Sequence, residues 1–125
     1  MLNLITQKDN LGCAVACAAF VLNKSYDETA GMFGENINGY LCKEIAAVLN
    51  NNGKNYSFKY LTRKLKRKIY KRGTIVFIKR CRKYPFGHYL IRANNCWMDS
   101  WINFQNDKNI NNAKSGFRKR LPGTA

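Results

Sequence analysis

The chain has 125 residues, of which 46% are hydrophobic and 23% are charged, so a single domain over residues 1–125 is expected and a wholly disordered chain is excluded. Its net charge of +15 favours acidic partners over basic ones. No apolar run approaches the roughly 20 residues that cross a bilayer, and residues 1–6 lack the pattern of a secretory signal. We therefore expect a cytoplasmic protein without membrane insertion.

The cysteines disfavour both a disulfide framework and a metal site. Their number is odd, no export signal is recognised, and the composition supports an ordinary core, all of which argue against structural disulfides. A zinc site is disfavoured because the sequence has one histidine and no CxxC pair, and no cofactor is indicated. The cysteines are Cys13, Cys17, Cys42, Cys81 and Cys96.

The first half of the chain predicts helices. Helices are expected at residues 13–22, where small and apolar residues follow one another, at about 26–33, and at 40–50, where apolar residues recur on one helical face. The first is rich in alanine and has no charge, so we expect it to be buried. Ser25 and Glu28 have the spacing of a capping box at the start of the second. Turn-prone residues predict a loop before the third helix, at Gly34, Asn36, Asn38 and Gly39.

The second half predicts strands. Alternating aromatic and polar residues favour a strand at 56–62, and the apolar run at 73–79 is the best strand candidate in the chain. Residues 88–92 and 96–101 are expected to form a hairpin around a turn at 93–95. The basic stretch 61–70 has the apolar spacing of a short surface helix. The tail from about residue 104 is expected to be less ordered unless Phe117 and Leu121 fix it. The order predicts an α+β fold, with N-terminal helices packed on a bent antiparallel sheet.

Cys13 begins the first predicted helix. The first N–H groups of a helix have no intrahelical partner, and the helix dipole is positive there, so a thiol at this position ionises more readily. Gln7 stands upstream and carries an amide that can donate to a developing oxyanion. The rival nucleophile is Cys17, one turn deeper, where burial disfavours the thiolate. These features favour Cys13.

His88 and Asp99 can supply the base and its orienting acid. His88 is the only histidine and starts a predicted strand, while Asp99 lies on the strand that follows the turn. A hairpin symmetric about Asn94 places Asp99 opposite about Tyr89, so that His88 and Asp99 become diagonal neighbours. An aspartate beside an imidazole fixes its tautomer and favours its protonated form. With Cys13, these are the parts of a thiolate–imidazolium acyl-transfer site.

The order Gln7, Cys13, His88, Asp99 resembles that of the papain-like cysteine peptidases, in particular the group that processes double-glycine leader peptides of bacteriocins. The resemblance covers about residues 5–24 and 84–104. It implies a papain-like fold and a peptidase acting on a peptide or protein. It implies Cys13 as the nucleophile, His88 as the base, Asp99 as the orienting acid and Gln7 as the oxyanion donor. Gly12 and Ala14 stand where that group usually has Asp and Gly, which leaves the substrate open.

The region from Lys54 to Arg92 contains no acidic residue and many cations. A field of one sign attracts nucleic acid or an acidic protein, and the aromatic residues among the cations can stack on bases. The same pattern also occurs on a solvated basic face. A basic binding module and a catalytically inactive peptidase-like binding protein therefore remain alternatives to the enzyme, and the oligomeric state is open.

Overall fold

The computed structural model describes residues 4–34 and 39–125; the predicted loop positions Asn36 and Asn38 lie outside these ranges. The helices are α1 (Cys13–Leu22), α2 (Tyr26–Ala30) and α3 (Cys42–Asn51). The strands are β1 (Ile75–Ile78), β2 (His88–Arg92), β3 (Trp97–Asp99) and β4 (Gly116–Arg118), which form one antiparallel sheet in the order β1-β2-β3-β4. The predicted α+β class is confirmed, with the helices N-terminal to the sheet.

Helix α1 is the buried element on which the helical layer is built. Residues 13–19 are all buried, and the helix packs against α2, α3 and β2. Its alanines allow this close approach because they add little volume beyond the backbone. The helix ends at Asn23, whose φ of 55° lies in the left-handed region that Asn tolerates better than most residues. The predicted bounds 13–22 are confirmed.

The predicted capping box of α2 is confirmed. Ser25 Oγ accepts from the Glu28 backbone N–H at 3.1 Å, and Glu28 Oε1 accepts from the Ser25 backbone N–H at 3.4 Å. The helix is shorter than predicted and ends at Ala30. Its buried residues are Tyr26 and Thr29, so α2 fixes Tyr26 close to the start of α1.

The sheet separates two apolar clusters because side chains alternate along each strand. Tyr89, Ile91 and Met98 belong to the cluster that includes α1 and α3. Leu90 and Trp97 belong to the second cluster, on the other face. By the same alternation, His88 and Asp99 share the face of Leu90 and Trp97.

The predicted strand at 56–62 is absent from the structure, which gives this stretch no regular secondary structure. At the first residue of the stretch, the Asn50 side chain takes both backbone groups of Tyr56. Asn50 Nδ2 donates to the Tyr56 carbonyl at 3.0 Å, and Asn50 Oδ1 accepts from the Tyr56 N–H at 2.6 Å. These groups are therefore not available to a neighbouring strand.

The predicted surface helix at 61–70 is also wrong. The stretch forms two short 3₁₀ turns, Arg63–Leu65 and Lys68–Tyr70, with no buried residue in either. Cations three and four positions apart repel each other on a helix, and a short helix with no buried face has little to stabilise it. The cations therefore remain on an irregular, exposed segment.

The tail from residue 104 contains a 3₁₀ turn, Ile110–Asn112, and strand β4. Strand β4 pairs with β3, with Met98 opposite Phe117 and Asp99 opposite Gly116. Farther along, the Thr124 carbonyl accepts from the Lys79 N–H at 2.8 Å, which ties the last residues to the end of β1. Of the two residues expected to fix the tail, Leu121 packs on the second apolar cluster, whereas Phe117 is exposed. None of the described helices has the length and apolarity needed to span a membrane.

Candidate active site

Cys13 is the first helical residue of α1, so its backbone N–H has no intrahelical acceptor. The side chain is only 9% exposed but lines a large surface cleft. The backbone N–H of Tyr89, at the start of β2, donates to Cys13 Sγ at 3.4 Å. The first turn of α1 and the first residues of β2 are thereby brought together at the cleft.

His88 and Asp99 form a buried hydrogen-bonded pair. His88 Nε2 lies 2.7 Å from Asp99 Oδ1, with both side chains almost fully buried. The register pairs Ile91 with Met98, one residue from the pairing expected, and the diagonal contact between His88 and Asp99 is confirmed. Because Asp99 takes Nε2, Nδ1 is the ring nitrogen left for Cys13.

Asp99 has two further partners that sequence reasoning missed. Its Oδ1 accepts from the Trp101 backbone N–H at 3.0 Å, and its Oδ2 accepts from Arg118 Nε at 2.7 Å. Arg118 also donates to the Ile102 carbonyl at 3.0 Å, which holds the guanidinium in place. No local signal in the sequence pointed to Arg118, because it reaches the site only through β4, which was not predicted.

The charges of the pair reinforce each other. Burial lowers the pKa of His88, but the interactions with Asp99 and Cys13 outweigh it and raise the pKa to about 10. Burial raises the pKa of Asp99, but the hydrogen bonds and charges of His88 and Arg118 hold it below its usual range. The site is therefore suited to an imidazolium that faces a carboxylate.

Tyr84 stacks on His88 from the loop that precedes β2. The two ring centroids are 4.9 Å apart and the rings are nearly parallel, at 3°. Tyr84 is itself buried and stacks in turn on Phe104. This packing restrains the imidazole ring from the face, while Asp99 restrains it from the edge. The sequence carried no signal for this contact beyond an aromatic residue near the histidine.

Gln7 is buried and lines the cleft near Cys13. Its amide nitrogen donates to the carbonyls of Asp9 at 3.0 Å and Asn10 at 3.3 Å, and its oxygen accepts from Ser100 Oγ at 2.7 Å. Both amide hydrogens therefore support the turn that leads into α1. To donate to an oxyanion, Gln7 must share or release one of these two hydrogen bonds. The bond to the Asn10 carbonyl is longer and therefore weaker, so it is the one more easily given up.

Cys17 occupies a different environment from Cys13. It is fully buried, and it is absent from the residues that line the cleft. Burial raises the pKa of its thiol well above the usual value, and the neighbouring Cys13 raises it further. A buried thiol with a raised pKa is a poor nucleophile, so the geometry favours Cys13 over Cys17.

The cleft that contains Cys13 and His88 has a volume of about 1410 Å³. Gln7, Cys13 and His88 line it, whereas Asp99 lies behind the histidine, fully buried. A thiol and a histidine therefore line the open space, while the carboxylate is shielded from it. This arrangement suits a reaction in which substrate reaches the sulfur and the ring but not the carboxylate.

No protein-family model, curated protein or solved structure matches this chain. The chemistry of the site is therefore inferred from its own atoms. These atoms supply a thiol at a helix start, an imidazole that faces it, a buried carboxylate and an amide close by. Together they can generate a nucleophile, hold a developing negative charge and return a proton.

Proposed function

We propose that the protein is a papain-like cysteine peptidase, similar to the bacteriocin leader-peptidase group, that hydrolyses a peptide or isopeptide bond. The observation that carries the proposal is the buried His88–Asp99 pair, bonded at 2.7 Å, whose histidine lines the same cleft as Cys13 at the start of α1. Three elements, α1, β2 and β3, must assemble to place these groups together, and Cys13 is 75 residues from His88 in the sequence. A purely structural cysteine or histidine needs no such assembly.

Acylation begins with transfer of the Cys13 thiol proton to Nδ1 of His88. The sulfur then attacks the substrate carbonyl carbon, and the carbonyl oxygen takes the negative charge. The Cys13 backbone N–H and the Gln7 amide hold this oxyanion. His88 donates its proton to the leaving nitrogen, the carbon–nitrogen bond breaks, and an acyl thioester remains on Cys13.

Deacylation uses the same residues in the reverse order. His88 takes a proton from water as the water oxygen attacks the thioester carbon. The carbon–sulfur bond then breaks, the acid product leaves, and the proton returns to sulfur. An amine in place of water gives acyl transfer from the same thioester. Asp99 keeps its negative charge throughout and orients the imidazole.

The position of Tyr26 explains why glycine, Gly12, precedes Cys13. A Cβ on Gly12 would lie 2.0 Å from Tyr26 Oη, so a side chain there requires Tyr26 to move. Tyr26 Oη donates to Asp9 Oδ2 at 2.8 Å, which fixes the phenol in this position. The peptidase group usually has Asp before its cysteine, and we infer that the Tyr26–Asp9 pair occupies that space here.

Labelling and cleavage with matched cysteine variants test the proposal. The full chain is treated with a chloromethyl ketone or iodoacetamide probe and with a proteome-derived peptide library. We expect Cys13→Ala to abolish both labelling at this site and cleavage. The control is Cys42→Ala, because Cys42 is an exposed thiol that lines the same cleft. Cleavage that persists in Cys13→Ala, or labelling confined to Cys42, contradicts the proposal.

A second candidate function is supported by the exposed cations between residues 59 and 83. None of those in the 3₁₀ turns Arg63–Leu65 and Lys68–Tyr70 is buried, and exposed aromatic residues such as Phe58, Tyr60 and Tyr70 lie in or beside this stretch. Such a surface binds nucleic acid through phosphates and stacking. Binding of an oligonucleotide that falls steeply with salt and is unchanged in Cys13→Ala would establish this function. Folded protein that shows neither labelling nor cleavage would instead identify a catalytically inactive binding protein.

The state of the cysteines bears on where the reaction takes place. All five thiols are free, and Cys42 and Cys81 are exposed. Exposed free thiols persist in a reducing compartment. We therefore propose that the protein acts in the cytoplasm.

A further inference from the structure

The cleft around Cys13 has an unusually apolar rim. Four of its lining side chains are large, apolar or aromatic, and strongly exposed: Leu41 at 61%, Phe58 at 58%, Tyr60 at 95% and Phe86 at 65%. Clustered exposed apolar side chains of this kind mark binding surfaces rather than ordinary solvated surface. A ligand that covers them must carry apolar groups of its own.

The same cleft is lined by four exposed cations, Lys43, Lys59, Arg80 and Lys108. Among residues 4–34 and 39–125, no carboxylate lies within ion-pairing distance of any of them. Asp9 also lines the cleft, and its carboxylate already accepts a hydrogen bond from Tyr26. The described lining of the cleft therefore carries four cations and one carboxylate, that of Asp9, and none of the four cations is ion-paired with it.

We propose that the cleft selects a peptide segment rich in both acidic and large apolar residues, and presents it to Cys13. The inference rests on the proposed function, since it names the substrate class of the same site. Apolar side chains of the peptide cover Leu41, Phe58 and Phe86. Its carboxylates pair with the cleft cations. This charge complementarity disfavours basic peptides and speeds the association of acidic ones with the protein.

A peptide fits the cleft better than a nucleic acid does. The groups at its base act on a carbonyl carbon, and Leu41 and Phe86 lie among the residues that line it. Of these two, aliphatic Leu41 contributes little to base stacking, whereas both bury apolar peptide side chains well. The cations at Arg63, Lys64, Lys66, Arg67 and Lys68, which suit a polyanion, are not among the residues that line the cleft.

A charge series of peptides tests the substrate class. Three twelve-residue peptides alternate pairs of Leu and Phe with Glu, Gln or Lys, and their binding to the full chain carrying Cys13→Ser is measured by calorimetry at two salt concentrations. We expect the Glu peptide to bind at least about tenfold more tightly than the Gln peptide, with weaker binding at high salt. Equal affinity for the three peptides, or no binding of any, overturns the proposal. So does an oligonucleotide of matched charge that binds the cleft more tightly.

Charge-reversal variants locate the binding. Lys43→Glu with Lys59→Glu is expected to remove the preference for the Glu peptide. The matched control is Lys64→Glu with Lys66→Glu, which changes the net charge equally at exposed positions outside the cleft. An equal loss in both double variants means that net charge rather than the cleft attracts the peptide, and overturns the proposal.

The two proposals fail in different ways. Labelling of Cys13 in the otherwise unaltered protein reports on the catalytic site and does not depend on peptide charge. Labelling without the peptide preference overturns the substrate class and leaves the peptidase intact. If the protein prefers the Glu peptide but shows neither labelling nor cleavage, the peptidase proposal is overturned. The cleft is then a binding site for acidic peptides.

Discussion

Arg118 Nε lies 2.7 Å from Asp99 Oδ2, while His88 Nε2 lies 2.7 Å from Oδ1 of the same carboxylate. The buried acid is thus shared between two cations, one on each oxygen. Arg118 lies on β4, at the edge of the sheet, and its bond to Oδ2 fixes the orientation of the Asp99 carboxylate. In this orientation, Oδ1 points at the imidazole of His88. We regard Arg118 as a positioning residue, since Asp99 and His88 separate it from the reacting atoms.

Replacing Arg118 with Gln should slow the reaction and shift its pH dependence. Arg118 lowers the pKa of Asp99, so its loss lets Asp99 take up a proton at a higher pH than in the unaltered protein. We expect kcat/KM to fall roughly tenfold, which corresponds to about 1.4 kcal/mol of lost transition-state stabilisation, and its acidic limb to move to higher pH. A full pH–rate profile measures both. Arg118→Lys, which keeps the charge, should restore much of the profile. An unchanged acidic limb in Arg118→Gln contradicts the assignment.

Two variants of Tyr84 should separate the effect of ring stacking on His88 from any effect of the Tyr84 hydroxyl. Tyr84→Phe keeps the parallel ring that lies 4.9 Å from the imidazole, whereas Tyr84→Leu removes it. An aromatic pair contributes about 0.5–1.5 kcal/mol beyond the area it buries. We expect near-normal kcat in Tyr84→Phe and a loss of about threefold to tenfold in Tyr84→Leu. Steady-state kinetics, with melting temperatures as a check on folding, measure the difference. Equal kcat in the two variants would show that stacking does not position His88.

The stability of the protein should depend on pH through the buried pair. The raised pKa of His88 means that its contribution is complete below its ordinary value of 6.5 and is lost as pH rises through about 10. The lowered pKa of Asp99 means that its contribution is present above its ordinary value of 3.8 and is lost as pH falls below it. We therefore expect stability to be greatest from about pH 4 to pH 6.5.

Urea unfolding across this range, in the unaltered chain and in His88→Gln, isolates the pair. Buried tyrosines with raised pKa values, Tyr26 and Tyr89, also lose their contribution at high pH, in both proteins alike. The difference between the two curves should therefore shrink from pH 6.5 to pH 10. A constant difference across that window would mean that His88 is not charged in the folded state.

Gly87 should tolerate no side chain, because its backbone and its surroundings both require glycine. Its φ is 75°, and a Cβ there would lie 2.1 Å from Phe77 Cζ and 2.9 Å from the Ile78 carbonyl oxygen. Gly53 is the matched control, with a φ of 85° and open space around its Cα. We expect Gly53→Ala to cost about 1 kcal/mol from backbone strain alone. Gly87→Ala should cost clearly more, with loss of activity because His88 follows directly. Equal unfolding free energies in the two variants would contradict this.

Local patterns predicted the parts of the site that depend on local structure. The alanine-rich run predicted α1 and placed Cys13 at its start, and the symmetry of the hairpin predicted the contact between His88 and Asp99 to within one residue of register. Arg118 could not be found in this way, because it reaches Asp99 through a pairing of β3 with a tail that has no alternating pattern. The stretch 56–62 alternates like a strand but pairs with no other strand, and its first residue, Tyr56, bonds the Asn50 side chain through both backbone groups, a contact that periodicity does not describe.

Gln7 offers the sharpest test of how the oxyanion is held. Its amide hydrogens bond the carbonyls of Asp9 and Asn10, and its oxygen is oriented by Ser100. If it shares a hydrogen with the oxyanion, Gln7→Ala should lower kcat by about 10²–10³, the usual loss for one such donor, with little change in KM. Ser100→Ala is the control, because it removes the orienting hydroxyl but leaves the amide in place. We expect only a modest fall in kcat for that variant. A purely structural Gln7 would lower the melting temperature equally in both variants and leave kcat, measured well below melting, close to normal.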